Sequence, residues 1–377
     1  MIAYYDMVIL IIFIVIFYLR QSIVKHNNTK RIPKDLINIF DQIKNNIKHI
    51  KNKIGDTRFG FVLKHIYPIV RFISNSYGYT MIFELAKYVE EYVDIFYVAN
   101  ISDAICLREA GIRKRIMVLY LIDPSKINQI IEYDLEIIVP SIEWLDLIDI
   151  KVIKNRRIKT HLWLNSNLGK EGANTTEEVI TLYRKLKQIP YIKIVGLGTK
   201  YNTSDESYFN SLKKLKSIPT DLIVQHNVFS DLVKRINDPD LMIHTACTFE
   251  MTRNFTESYF GSKGCVRVGG LIYRDIIWEQ DILDIRSAKD SDCYGYYCEK
   301  TKKRIKEDRN FHIGMVKNYL SLQIHQMDDL KIFDTNGNEL EIILVRYDPI
   351  IFILNNKSNQ KIGSKVIFKY NDLFAYK

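Results

Sequence analysis

The stretch from Ile95 to Val139 reads IFYVANISDAICLREAGIRKRIMVLYLIDPSKINQIIEYDLEIIV, and its rhythm decides the fold. Ile95-Phe96-Tyr97-Val98 is a short apolar run of strand-forming residues, and Asp103 to Ala110 follows with helical character. Ile116 to Leu119 then precedes Pro124 to Tyr133, and Glu136 to Val139 precedes Ser141 to Leu147. The same alternation extends outward. Upstream, a helix from Leu36 to Ile54 carries Ile39, Ile43, Ile47, Ile50 and Ile54 on one face, ends at Gly55-Asp56, and leads into a strand from Phe59 to Leu63. Downstream, His161 to Leu164 precedes Thr176 to Lys187, and Ile192 to Leu197 precedes Ser204 to Leu215. Leu222-Ile223-Val224 reads as the next strand, before a helix from Phe229 to Ile236. Strands alternating with helices over roughly two hundred residues predict a parallel sheet, and so many units predict an α/β chain closed into a (β/α)8 TIM-type barrel.

Beyond about Ile276 the helical periodicity fades. Short runs at Leu320 to Ile324, Glu341 to Val345 and Ile350 to Leu354 are set off by turns at Asn336-Gly337-Asn338 and near Gly363. The expected body is therefore a barrel over 35–275 followed by a C-terminal β-domain over 276–377. A length of 377 residues, 47% hydrophobic and 26% charged, suits this packed globular plan. The net charge of +10 is scattered rather than gathered in one basic block, so no nucleic-acid partner is expected. Five cysteines form an odd count without a CxxC spacing, which predicts free thiols in a reducing compartment and no metal site.

The N-terminus has a different character. Met7 to Leu19 is almost wholly apolar, and with Ile2 to Tyr5 it makes a stretch of roughly 18 residues interrupted only by Asp6, enough to span a bilayer core. No basic residue precedes it and no small-residue cleavage site follows, which favours a retained anchor over a signal peptide. Residues 1–20 are thus a predicted transmembrane helix and 21–34 a linker. Arg20, Lys25, Lys30, Arg31 and Lys34 flank the helix, so the positive-inside rule predicts a single-pass membrane protein with its body in the cytoplasm.

From about residue 36 to 370, segments of the chain resemble the alanine racemase family in the family's own order. Asp41 to Lys51 resembles its opening helix; Val98-Ala99 with Leu107 to Ile112, and Val195 to Lys200, resemble barrel motifs. Val266 to Tyr273, Gly295-Tyr296 and Lys361 to Val366 are similar to later ones. The resemblance implies pyridoxal phosphate held as an imine by a lysine at the end of the first barrel strand, a small amino-acid ligand, and a homodimer. Read from Thr57 to Lys64, that lysine is Lys64; read back from Ser76-Tyr77-Gly78-Tyr79, whose Tyr77 falls at a cofactor-binding position, it falls on Ile73, which cannot form an imine. Helix, turn and strand all agree upstream of Lys64, which favours that register. Thr245 matches a phosphate-contacting serine, Gly269 and Gly270 match backbone that approaches the phosphate, and Arg267 matches the arginine facing the pyridine nitrogen.

Racemisation needs a proton-exchanging group on each face of the α-carbon. The resemblance places the second base, a tyrosine, at Met315, which has no proton to exchange. The histidine supporting that tyrosine matches Lys200, a modified lysine matches Trp163, and the carboxylate-binding arginine matches Lys170. Two readings follow. The first is a membrane-anchored homologue that keeps the fold, and with it the cofactor site, but has lost normal racemase activity and serves as a binding or scaffold protein. The second is a pyridoxal-phosphate-dependent amino-acid racemase with a rearranged base set, Lys64 opposed by Tyr319 or Lys200. An unrelated membrane-associated barrel is a third.

Overall fold

The computed structural model describes residues 32–64, 68–149, 153, 156–166, 169, 171–202, 218–289, 310–317, 330–345, 350–354 and 360–370. The chain divides into two units, Met1–Asn38 and Ile39–Lys377. In the first, the described part is 32–38, where helix α1 (Lys34–Ile54) begins. In the second, α1 buries Ile39, Phe40, Ile43, Ile47, Ile50 and Ile54, the one face that the spacing predicts. Gly55 stops the helix at φ +57°, a left-handed conformation that a residue without Cβ adopts at little cost.

The barrel strands are β1 (Arg58–Leu63), β2 (Ile95–Val98), β3 (Arg115–Val118), β4 (Glu136–Ile138), β5 (Ile158–Ser166), β6 (Ile192–Tyr201), β7 (Met242–His244) and β8 (Cys265–Val268). They pair in parallel in the order β7-β6-β5-β4-β3-β2-β1-β8. Bridges from Ile243 to Gly264 and from Cys247 to Arg267 bring β7 back against β8, so the barrel is nearly closed. Val62, Tyr97, Met117, Ile138, Trp163, Met242 and Cys265 pack together as a core cluster. Each such apolar side chain contributes about 1.5–3 kcal/mol by leaving water.

Two local expectations change. Leu222-Ile223-Val224 is not a strand but the start of a helix, Thr220–Ile236. Leu222, His226, Phe229 and Leu232 are buried at helical spacing, whereas Ile223 and Val224 are exposed, so the amphipathic face prevails over local β-branched propensity. The seventh strand comes later, at Met242–His244. Between β1 and Tyr79 stands a helix that the alternation did not reveal, α2 (Pro68–Tyr77). It buries Ile69, Val70, Phe72 and Ile73 and sets the Phe72 ring 4.9 Å from that of Trp278.

After the barrel come β9 (Ile276–Asp281), β10 (Asp284–Lys289), β11 (Asn310–Val316), β12 (Leu330–Phe333), β13 (Glu339–Leu340), β14 (Ile342–Val345), β15 (Ile350–Leu354) and β16 (Lys365–Tyr370). They form two antiparallel sheets, β10-β11-β15-β14 and β13-β12-β16-β9. The turn between β12 and β13 uses Gly337 at φ +85° and the Asp334 carboxylate, which accepts from the Asn336 and Asn338 amides. Gln42 of α1 ties β9 in place, donating to the Ile277 carbonyl and accepting from its amide at 2.9 Å each.

The expected anchor over 1–20, the helix Ser204 to Leu215 and the run Leu320 to Ile324 lie outside the described residues. Among the described residues no helix is long and apolar enough to cross a membrane.

Candidate active site

In parallel barrels the chemistry gathers where strands end and loops begin. Lys64 directly follows the last residue of β1. Its Nζ lies 4.8 Å from the centre of the Tyr120 ring, which follows β3. A small pocket beside it is lined by Leu63, Lys64, Val70, Tyr79, Ile82, Phe83 and Asp103. Asn100 and Asp103, after β2, hold one another: the Asn100 oxygen caps the Asp103 amide at 2.9 Å, and the Asn100 amide donates to Oδ2 at 3.1 Å. Tyr79 hydrogen-bonds to the same carboxylate; burial and then that contact push its phenol above the ordinary range.

Ile73, the competing position in the sequence register, is fully buried on α2. The same helix lies between Lys64 and Tyr77, which closes α2 with its ring 5.9 Å from Phe72.

Arg267, on β8, is only 6% exposed. Its Nη1 donates to the His244 carbonyl at 3.0 Å and contacts His244 Nδ1 at 3.2 Å. Its Nη2 donates to the carbonyls of Thr199 at 2.7 Å and Thr245 at 3.0 Å. The guanidinium thus sits where β6 and β7 end, lying 4.7 Å from the centre of the Trp163 ring. These bonds occupy all four terminal N–H groups and leave Nε–H as its remaining donor. Thr245 is buried, and its hydroxyl donates to the Ser258 carbonyl at 2.7 Å, so that proton is already committed. Gly269 and Gly270 follow β8 and are buried.

Beneath Arg267 a polar chain crosses the barrel interior. His161 Nδ1 lies 3.0 Å from His244 Nε2, and His161 Nε2 lies 2.8 Å from Glu136 Oε2. Arg115 grips Glu136 with Nε at 2.6 Å and Nη2 at 2.7 Å. His161 and His244 are wholly buried and Glu136 nearly so, while Arg115 is about one-third exposed, 34%, where β3 begins. Burial opposes the charged Glu136, but hydrogen bonds from His161 and Arg115 outweigh it and hold the carboxyl at about 2. Burial lowers His161 despite Glu136, and lowers His244 well below its ordinary value, with His161, Arg267 and Arg115 adding to the effect.

Glycines make room for these rings. Gly196 and Gly198 of β6 stand in register with His161 and Trp163 of β5. A Cβ at Gly196 would lie 2.2 Å from His161 Nδ1, and one at Gly198 2.5 Å from the Trp163 ring. On β1 a Cβ at Gly60 would lie 2.3 Å from the Tyr97 ring. Sequence reasoning singled out Arg267 but missed Glu136 and His161; the alternating Gly-Leu-Gly of β6 was a usable signal, since paired glycines in a strand mark close approach.

Other expected positions are distributed differently. Lys200 is the half-buried penultimate residue of β6, before the buried Tyr201. Met315, on β11, packs against Ala288, Phe311, Ile313 and Ile351. Lys170, Gly295, Tyr296 and Tyr319 lie outside the described residues.

Comparison with known proteins follows the same outline. Residues 40–275 match the family model for the alanine racemase N-terminal domain. An alanine racemase of Streptococcus uberis is 29% identical over 211 residues, covering 56% of this chain and 55% of the relative. One from Streptococcus pneumoniae (strain Hungary19A-6) is 27% identical over 231 residues, covering 59% and 61%. The chain thus spans a little over half the length of the curated relatives it matches. Among solved structures, an alanine racemase of Clostridium difficile 630 gives a TM-score of 0.64 at 18% identity, covering 87% of this chain and 84% of that one. That of a D-cycloserine-producing Streptomyces lavendulae gives 0.65 at 14%, covering 87% and 85%. At these identities the structural likeness concerns the fold alone.

Proposed function

The chain belongs to the alanine racemase family, and from that premise we propose that it is a pyridoxal-phosphate-binding homologue that has lost ordinary two-base racemisation and serves as a binding or scaffold protein at a membrane. The donor set at the barrel mouth fits the cofactor. Lys64 offers an amine at the end of β1, Arg267 keeps Nε–H as its remaining donor, and the Gly269-Gly270 backbone follows β8. When bound, pyridoxal phosphate supplies the electron sink that weakens bonds to an amino acid's α-carbon. In this reading Lys64 would hold the carbonyl end and take or return the α-carbon proton on one face, and Arg267, fixed by three carbonyls and His244, would meet the ring nitrogen. Thr245 contributes no proton to a phosphate while Ser258 takes it.

The observation that carries the loss of racemisation is Met315. Its thioether lies against an apolar cluster on β11, in the position that the resemblance gives to the second base. No proton can be delivered from there, and general acid–base help is worth roughly 10²–10⁴-fold. The N-terminal anchor and a homodimer belong to the same proposal.

The test is spectroscopic and chemical. Purified full-length protein with pyridoxal phosphate should absorb near about 420 nm, and borohydride should fix the label to the peptide containing Lys64. Lys64→Ala should abolish both signals. Labelling at a different lysine would refute the assignment, and a protein that takes up no cofactor would refute the cofactor half of the reading.

A further inference from the structure

The polar chain inside the barrel has one self-consistent arrangement of protons. Arg267 is a donor at every nitrogen, so its Nη1 contact with His244 Nδ1 at 3.2 Å requires that nitrogen to be bare. His244 then carries its proton on Nε2 and donates to His161 Nδ1 at 3.0 Å. His161 in turn carries its proton on Nε2, where Glu136 Oε2 accepts it at 2.8 Å. Both imidazoles are neutral in this arrangement, in keeping with the downward direction that burial gives them. The far end is a carboxylate, which can only accept, and it is itself held from two directions by Arg115. Polarity therefore runs one way, from the guanidinium at the mouth to the carboxylate on β4.

The barrel is also built around this chain. Gly196 and Gly198 leave the volume that the His161 and Trp163 rings fill, and the His244 ring stands edge-on to both, with centroids 4.8 and 5.1 Å away. Glu136 begins β4, remote in sequence from β8, and has no direct bond to Arg267.

We propose that Glu136 is a positioning residue for Arg267. Through the fixed tautomers of His161 and His244, it holds the guanidinium so that Nε–H, the donor left over, faces the ring nitrogen of the cofactor. This rests on the reading of the mouth as a pyridoxal phosphate site. Without the carboxylate, His161 loses the acceptor that sets its tautomer. His244 can then present N–H rather than a lone pair to Arg267, and two donors meet face to face. The guanidinium turns and Nε–H is redirected.

The test uses the full chain, Glu136→Leu, and His161→Phe, which breaks the same chain but leaves the Arg115–Glu136 pair intact if the first variant folds poorly. Two readouts are taken. Nitrogen NMR of labelled histidines reports the tautomers, and titrations compare pyridoxal phosphate with its analogue in which carbon replaces the ring nitrogen. In the wild type His161 and His244 should each show a single neutral form protonated at Nε2. In either variant His244 should lose that single form. Affinity for pyridoxal phosphate should drop on the order of tenfold, as expected for one misdirected hydrogen bond, while affinity for the carbon analogue holds. Equal losses for both ligands would mean a general packing effect and overturn the proposal, as would unchanged affinity for both. If wild-type protein binds neither ligand, the cofactor reading fails on its own. The tautomers then decide Glu136's hold on Arg267: a His244 form unchanged in both variants overturns it, and a lost one upholds it.

Discussion

Replacing Gly196 with alanine tests the barrel interior most sharply. The added methyl would lie 2.2 Å from His161 Nδ1, 2.6 Å from its Cε1 and 3.1 Å from the Met242 carbonyl. The ring cannot simply slide, because Glu136 holds one of its nitrogens and His244 the other. Overpacking a core of this kind costs about 1–3 kcal/mol. Displacing the ring leaves buried polar groups unmatched, at about 1–3 kcal/mol each. Alanine recovers roughly 0.5–1 kcal/mol over glycine within a strand. The net expectation is a destabilisation of about 2–5 kcal/mol. Urea unfolding followed by tryptophan fluorescence reads it directly, since Trp163 is buried beside the same histidine pair. The cost should shrink when His161 is already alanine, because the methyl then enters empty space; a double-mutant cycle isolates that coupling. Unfolding within about 0.5 kcal/mol of wild type, the range of a surface change, would refute the packing described for β5 and β6.

Acid should act on the same chain. Glu136 sits at about 2 against 4.5 when free, so its contribution of about 3 kcal/mol is present above pH 4.5 and lost as pH falls toward 2. His161 and His244 are depressed from 6.5, so theirs is present above that value and lost below it. Unfolding free energy should therefore decline from about pH 6.5 downward, and Glu136→Gln should flatten the part below 4.5; a wild-type profile flat from 7 to 3 would count against it. Purified protein saturated with pyridoxal phosphate should not interconvert L- and D-alanine at the rate of ordinary family members, and Met315→Tyr alone should not rescue it. Fast interconversion would show that another group, Tyr319 or Lys200, supplies the second proton. For the anchor, the full chain should sediment with membranes and a chain starting at Arg31 should remain soluble; equal solubility would remove the claim.

The register at the end of β1 shows where reading the chain linearly stops. Motifs on either side pointed to Lys64 and to Ile73; helix, turn and strand upstream favoured Lys64, but motif spacing by itself leaves the two in conflict. Folded, Lys64 follows the strand and Ile73 is a core residue of α2. Leu222 to Val224 failed for a related reason: three apolar residues read alike as strand or helix, and only the buried row through His226 and Phe229 distinguishes them.

The alternation of strands and helices and the β-rich C-terminal part were legible in the chain, because periodicity is a local property, and motif order named Arg267, Thr245 and Met315 as candidates. The partners of those residues were not. Arg267 needed acceptors once buried, and which ones it found depended on bringing together the ends of β6, β7 and β8 and on two histidines from β5 and β7. Glu136 reads in the sequence as an ordinary charged residue at the start of a strand. Only barrel closure turns its side chain inward, removes its water, and makes Arg115 and His161 its compensation. A buried charge is defined by what surrounds it, and that is decided by contacts between segments far apart in the chain.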